Sequence, residues 1–376
     1  MSQRGAIIET MKLLLFSDLH LDTAFNWAGS RAGQARRRGI REVLRRICAL
    51  AADSGVDALC CGGDLFEHDR LSPDTGEFLR DCFASLDPLP VLLAPGNHDW
   101  YGGASPYHLT EWSPNVTVFA SASLSPVALA DGFTVWGGAH LAPAGTGNFL
   151  ERFAVDRAGV NVALFHGSER GGLAWQGSDK FPHAPFDADE VARCGLAHAL
   201  VGHYHKPQAA PFHTYPGNPD PLAFGEEGSR GPVLASFDGD GSVCREWFDV
   251  SASSMTDVEV DVNGATHSGQ VRAALEAALA PLKGMVRATL RGELRPEVPV
   301  VPADLETVAP WLEALVVRAD KVAPTYEIDR IAEEQTARGQ FVRDVSRAAA
   351  LDPDERRRVL LTGLRAFDGS ADLWVE

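Results

Sequence analysis

Lys12-Leu13-Leu14-Leu15-Phe16-Ser17-Asp18-Leu19-His20 sets a short apolar run almost directly against an aspartate and a histidine two residues apart. Such a run has the length of a strand buried on both faces, and the polar pair falls at its carboxyl end. The arrangement recurs along the chain. Ala58–Cys61 leads through Gly62-Gly63 to Asp64, and Val91–Leu93 leads to Gly96-Asn97-His98-Asp99. Val162–Phe165 leads to His166, and Ala199–Val201 to Gly202-His203-Tyr204-His205. Between the first two runs, Ile40, Val43, Leu44, Ile47 and Leu50 recur at helical spacing, with Arg37, Arg41 and Arg45 on another face. Strand–helix–strand alternation of this kind predicts an α/β layered domain.

In such domains the loops after the strands gather at one edge and build the binding site. Asp18 and His20, two apart, would point the same way in an extended chain and could hold one ion; His203 and His205 share that spacing. Asp64 follows two glycines that let the backbone turn tightly. Asp18, His20, Asp64, Asn97, His166, His203 and His205 mix hard oxygen donors with imidazoles. That set suits a pair of divalent metal ions, manganese first, with iron, zinc or magnesium as options. Two ions about 3.5–4 Å apart would lower the pKa of a bridging water and clamp a phosphate for in-line displacement. His98 is then the best-placed acid or electrostatic stabiliser for the leaving alkoxide.

The 376 residues, 45% hydrophobic and 23% charged, suggest an ordinary globular protein with more than one domain. No apolar run is long enough to span a membrane, and the N-terminus lacks a basic region followed by a hydrophobic core, which argues against secretion. The residues before Met11 read as a polar extension. The six cysteines contain no C-x-x-C pair, and Cys60-Cys61 lie inside an apolar strand. Buried thiols in a reducing, cytoplasmic compartment are expected. A net charge of −17 weighs against a nucleic-acid substrate, although seven arginines and one glutamate lie between Arg31 and Arg46. A solvated helix face is the commoner meaning of that stripe.

After Asp238–Gly241 the pattern changes. Strands are expected at Val258–Val262, Val286–Leu290 and Leu315–Arg318, with helices over Gln270–Leu282 and Asp304–Leu315 and a proline-rich surface connection at Leu294–Pro302. An amphipathic helix from about Tyr326 carries Ile328, Ile331, Phe341, Val342 and Val345. Asp352-Pro353-Asp354-Glu355 starts another helix with an aspartate cap, bearing Val359, Leu360, Leu364 and Phe367. The expected domains are 1–250 (the layered α/β domain with the ligand candidates), 251–322 (small α+β cap) and 323–376 (helical tail).

The five motifs D-x-H, G-D, G-N-H-D, H and G-H-x-H, in that order, resemble the calcineurin-like metallophosphoesterase superfamily. The resemblance covers the first two-thirds of the chain and implies a layered sheet sandwich flanked by helices. It implies that Asp18, His20, Asp64 and His205 hold one metal, and that Asp64 bridges to a second completed by Asn97, His166 and His203. His98 is then catalytic, with Asp99 orienting it. Phe16-Ser17-Asp18-Leu19-His20-Leu21-Asp22, Gly62-Gly63-Asp64-Leu65-Phe66 and Tyr215-Pro216-Gly217-Asn218 with Phe224-Gly225-Glu226-Glu227 look like the SbcD/YhaO-type DNA repair exonuclease family. Ile331-Ala332-Glu333-Glu334 with Arg338-Gly339 is nearer the YhaO-type tail. This narrower resemblance implies DNA as substrate and an SMC-like coiled-coil ATPase as partner, with a homodimer as an option and no membrane. A phosphodiesterase acting on a small nucleotide or phosphorylated metabolite is the alternative.

Nucleases of this group often carry a histidine after G-D-x-F; here Glu67 stands there and His68 follows, which bears on DNA positioning. His68 could approach phosphate or face solvent, and Trp100-Tyr101 are expected to close the domain edge. His108, His140, His183, His198, His213 and His267 are assigned no role.

Overall fold

Leu13 and Leu15 leave strand β1 (Met11–Phe16) on one face and Leu14 and Phe16 on the other, and all four are fully buried. A strand apolar on both faces has to be covered on both, and this requirement organises the first part of the molecule. The computed structural model describes residues 10–175 and 182–369, so the polar extension before Met11, Thr10 excepted, lies outside the described residues. The chain forms two compact units, Met1–Ser254 and Met255–Glu376.

In chain order the first unit continues with α1 (Ser30–Asp53), β2 (Ala58–Cys61), α2 (Thr75–Ala84), β3 (Val91–Leu93), α3 (Pro106–Leu109) and β4 (Val116–Val118). Then come β5 (Ser125–Ala130), β6 (Phe133–Gly137), β7 (Val160–His166), α4 (Ala188–Arg193), β8 (His198–Gly202), β9 (Gln208–Ala209), β10 (His213–Tyr215), β11 (Val233–Phe237) and β12 (Val243–Trp247). They build two six-stranded sheets, ordered β12-β11-β1-β2-β3-β4 and β5-β6-β7-β8-β10-β9. Strands β1 to β4 pair in parallel, as do β6, β7 and β8, so the ligand-bearing loops leave each sheet at one edge.

Period-two alternation divides the core. Leu13, Leu15, Ala58, Cys60 and Leu92 meet Val135, Val162, Leu164 and Leu200 between the sheets. Leu14, Phe16, Leu59, Cys61 and Leu93 meet Ile40, Val43, Leu44 and Ile47 of α1 and Leu79 and Phe83 of α2. Ala163, Phe165 and Val201 meet Phe186 and Val191 on the outer side of the second sheet. The result is the expected mixed α/β fold, sheet upon sheet with flanking helices. Among the described residues no helix is long and apolar enough to cross a membrane. Cys48, Cys60, Cys61 and Cys194 are buried, and all six cysteines are free thiols.

The second unit contains β13 (Met255–Asp261), α5 (Ser268–Leu279), β14 (Met285–Leu294), α6 (Pro302–Leu305) and β15 (Ala314–Pro324). Its three strands form a parallel sheet in chain order. The helix expected over Asp304–Leu315 is only the single turn Pro302–Leu305. Pro310 cannot continue a helix, and Ala314 and Leu315 begin β15 instead. The single helix expected from Tyr326 is two, α7 (Ile328–Ala332) and α8 (Ala337–Arg347). Thr336 caps the second, its hydroxyl accepting from Gly339 N at 3.1 Å. The last helix, α9 (Pro353–Phe367), has its expected start: Asp352 accepts from Asp354 N and Glu355 N at 2.9 and 2.8 Å, and Glu355 accepts from Asp352 N at 3.1 Å. Ile331, Val342, Leu360 and Leu364 give these helices a core of their own.

One contact brings the two sheets of the first unit together at the site. A Cβ on Gly202, closing β8, would lie 2.2 Å from the carbonyl oxygen of Gly62, just past β2, and 2.8 Å from Ser17 Cβ. Only glycine allows this approach. Gly202→Ala should therefore lower thermal stability by about 1–3 kcal/mol and weaken metal binding. Gly103→Ala, with nothing within 4 Å of the added carbon, should change neither in melting and titration experiments.

Candidate metal centre

The loops after β1 and β2 are laced by backbone hydrogen bonds: Asp18 N to Gly63 O at 2.9 Å, His20 N to Asp64 O at 3.0 Å and Leu21 N to Leu65 O at 3.0 Å. Within this lacing, Asp18, His20 and Asp64 adopt φ of 55°, 50° and 52°, and His203, after β8, adopts 120°. The extended chain expected at Asp18–His20 is therefore not what brings these side chains together. Left-handed turns do so, each costing about 1–3 kcal/mol that the surrounding bonds must offset.

Potential ligand atoms lie within 4.8 Å of one another in three overlapping sets: Asp18, His20 and His205; His20, Asp64 and His98; and Asp64, His166 and His203. Asp64 Oδ2 stands 3.7 Å from His20 Nε2 and 3.2 Å from His166 Nε2, so one carboxylate faces both ends of the cluster. His203 and His205, despite their shared spacing, divide between those ends. His166 Nε2 is 3.2 Å from His203 Nδ1, and the backbone N–H of His203 donates to both Asp18 oxygens at 3.1 Å. Burial raises the pKa of Asp64, but His166 and His20 outweigh it and hold the carboxyl well below its ordinary range.

The cluster fits divalent metal ions. Asn97 Oδ1 and His20 Nε2 are buried without hydrogen-bond partners, in a cluster that also buries two carboxylates. Such groups are costly unless something charged completes them. Each of three imidazoles is oriented through Nδ1: His20 to Glu67 Oε1 at 2.7 Å, His205 to Glu226 Oε1 at 2.8 Å and His166 to Gly62 O at 2.9 Å. That turns Nε2 of each toward the cluster, an arrangement suited to a metal-binding histidine.

His98 is the most exposed of the set, its side chain 45% accessible, and its backbone N–H donates to Asp64 Oδ1 at 2.8 Å. The sequence reading has Asp99 orienting it. In the structure Asp99 is fully buried and turned away: it accepts from Gly96 N at 2.6 Å, Asp64 N at 3.1 Å, Leu65 N at 2.6 Å and the Tyr107 hydroxyl at 2.6 Å. It organises the loop that carries Asp64. Glu67 is the residue that meets His98, its Oε2 accepting from Nδ1 at 3.0 Å while Oε1 holds His20. The bond from Glu67 pushes the His98 pKa up to about 9. Burial works against the Glu67 charge, but the two imidazoles hold its pKa down to about 2. For Asp99, burial and the nearby Asp64 charge raise the carboxyl to about 6.

In the sequence Glu67 is only a departure from a nuclease pattern, and His140 has no role assigned. His140 is buried, its Nε2 2.8 Å from the His166 carbonyl oxygen. It lies three residues past strand β6, Phe133–Gly137, among the strand-end loops that carry the other histidines. His183 lies 5.5 Å, ring to ring, from His203, and His68 stacks on Trp100 at 4.1 Å. The cluster opens into a cleft of about 780 Å³ lined also by Lys206, Leu222, Glu226 and Arg230. Much of the arginine stripe on α1 is engaged internally: Arg36 is buried against Asp220, Arg41 pairs with Asp74 at 2.6 Å, and Arg45 and Arg46 reach Glu42 at 3.5 and 3.7 Å.

Comparison with known proteins places this geometry. The calcineurin-like phosphoesterase family model matches residues 11–207. The uncharacterized metallophosphoesterase YhaO of Bacillus subtilis is 29% identical over 233 residues, which are 58% of this chain and 55% of that protein. The DNA double-strand break repair protein Mre11 of Methanopyrus kandleri is 28% identical over 294 residues, 70% of this chain and 62% of that protein. The chain thus spans little more than half the length of these relatives. Among solved structures, a dimetal phosphatase from Danio rerio aligns at 14% identity with a TM-score of 0.34, covering 60% of this chain and 92% of that one.

Glu67 and Asp99 should separate cleanly on mutation. His98 is protonated below a pKa of about 9 and loses that form above it, so an acid function fades on the alkaline side. Glu67→Gln should move the alkaline limb of the pH–rate profile to lower pH with little loss of stability. Asp99→Asn turns an NH₂ toward a backbone N–H that the carboxylate accepts from, and should cost on the order of 3 kcal/mol in thermal unfolding. An unmoved alkaline limb in Glu67→Gln would contradict this division of roles.

Proposed function

This chain belongs to the calcineurin-like phosphoesterase family, and on that premise we propose that it hydrolyses phosphodiester bonds of DNA in repair, as an exonuclease and in a secondary capacity as an endonuclease. The observation that carries the hydrolytic reading is the position of Asp64, which faces His20 at one end of the cluster and His166 at the other, with His98 beside it. Asp18, His20, Asp64 and His205 would hold one divalent ion, and Asp64, Asn97, His166 and His203 the other, with manganese the first choice. When bound, such a pair withdraws charge from a phosphate and activates water for attack.

The protein's own part follows from its geometry. Left-handed turns and the laced loops fix the carboxylates and imidazoles before substrate arrives. Asp99 holds the Asp64 loop rigid through three backbone amides. His98, kept protonated by Glu67 and reaching the cleft, is placed to give its proton to the leaving oxygen. Its exposure lets it meet a substrate at the surface.

The DNA reading is supported by the likeness to the Mre11 repair protein, which runs over more of the chain than the family model does. A coiled-coil ATPase partner is proposed for the helical tail, where Val359 and Phe367 stay 38% and 48% exposed and Ile328, Leu360 and Leu361 line a groove of about 460 Å³. Free, mostly buried cysteines accord with a cytoplasmic site of action. The alternative, a phosphodiesterase for a small nucleotide or phosphorylated metabolite, is favoured by the net charge of −17 and by the internal pairing of the α1 arginines.

The manganese-loaded protein should degrade labelled duplex or single-stranded DNA. His98→Ala should lower the rate on the order of a hundred- to ten-thousand-fold while both ions stay bound. Turnover of bis-phenyl phosphate esters or cyclic nucleotides without DNA cleavage would favour the small-substrate alternative instead.

A further inference from the structure

The stretch Asn218 to Arg230 contains part of the SbcD/YhaO-type pattern, Asn218 and Phe224-Gly225-Glu226-Glu227, yet none of these residues enters the ligand set. Its structure is unusually well anchored for a loop. The Trp27 indole N–H donates to the Leu222 carbonyl at 3.2 Å, and the Trp27 and Phe224 rings meet edge to face at 5.0 Å. Asp220 is buried against Arg36 and accepts from Ala252 N at 2.8 Å. The guanidinium of Arg230 donates to the carbonyls of Glu226 and His205, at 3.0 and 2.9 Å, and to the side-chain oxygen of Asn218.

All of this converges on one carboxylate. Glu226 Oε2 accepts from Asn218 Nδ2 and Leu222 N, each at 2.7 Å, which leaves Oε1 for His205 Nδ1 at 2.8 Å. We propose that Glu226 is a positioning residue for the metal centre: it holds His205 in the Nδ1–H tautomer, so that Nε2 keeps its lone pair for the ion shared with Asp18 and His20. The loop is then a frame for one carboxylate. Its distance from His205 in sequence is no obstacle, because Gly217, at φ 78°, packs its Cα against the His205 carbonyl, where a Cβ would lie 2.7 Å away.

The proposal rests on His205 being a metal ligand, and it makes an unusual demand of an isosteric change. In Glu226→Gln the amide oxygen can satisfy the Asn218 and Leu222 donors only by turning its NH₂ toward His205. That NH₂ donates to Nδ1 and forces the proton onto Nε2, where it blocks the ligand lone pair. The substitution keeps the size of the side chain but inverts the tautomer.

The test is calorimetric titration of the full chain with Mn²⁺, alongside ¹⁵N-histidine NMR of the metal-free protein at a pH where imidazoles are neutral. Glu226→Gln should bind one of two ions some 10–100-fold more weakly, leave the other unchanged, and show His205 as Nε2–H. Two tight ions in Glu226→Gln, with His205 still Nδ1–H, would overturn the role of Glu226. His205→Ala is the parallel control: if it too binds both ions as the unaltered protein does, His205 is no ligand and the underlying reading fails instead. Should Glu226→Gln not fold, the unaltered protein decides alone, because an Nε2–H tautomer at His205 there contradicts the proposal.

Discussion

One carboxylate has to serve two places. Asp64 is buried, faces His20 on one side and His166 on the other, and receives the His98 amide on its remaining oxygen. Most of the first unit can be understood as what that demands. Two glycines before it allow the turn, the Gly62–Gly202 contact brings the second sheet within reach, and Asp99 beneath it satisfies the amides of Asp64 and Leu65. The left-handed conformations of Asp18, His20, Asp64 and His203 are costs that a packed double sheet can carry and a mobile loop could not. Asp18 and Asp64 concentrate negative charge in buried positions, which is unfavourable until cations neutralise it.

The sequence exposes the architecture of this unit because buried strands leave a strong mark. Four apolar residues followed by a small residue and a ligand cannot easily be anything but a strand end, and the order of those ends carries the fold. The weaker elements escape for physical reasons. Strand β5 holds the apolar run Val127–Ala130 but lies at a sheet edge, alternates half-buried and exposed residues and leads to no candidate ligand, while β9 is only two residues long. In the second unit Val308 and Ala309 enter the core without belonging to a helix, so periodicity misassigns them.

The residue types show the candidate ligands, but their spacing does not show how they divide. Spacing alone pairs His203 with His205; the family resemblance separates them, and the structure sets them at opposite ends of the cluster. The family resemblance implies that Asp99 orients its neighbour His98. Adjacent residues seldom face each other, and His98 instead finds Glu67, thirty-one positions away. Residues that act on ligands through hydrogen bonds, such as Glu67 and Glu226, leave no local pattern. They become visible only once the loops are folded side by side.

The sharing of Asp64 is tested most directly by crystallography of the manganese-loaded protein with anomalous scattering at the metal edge. Two peaks should appear, both in contact with Asp64, one also touching Asp18, His20 and His205 and the other Asn97, His166 and His203. A single peak, or two peaks of which only one touches Asp64, would contradict the account.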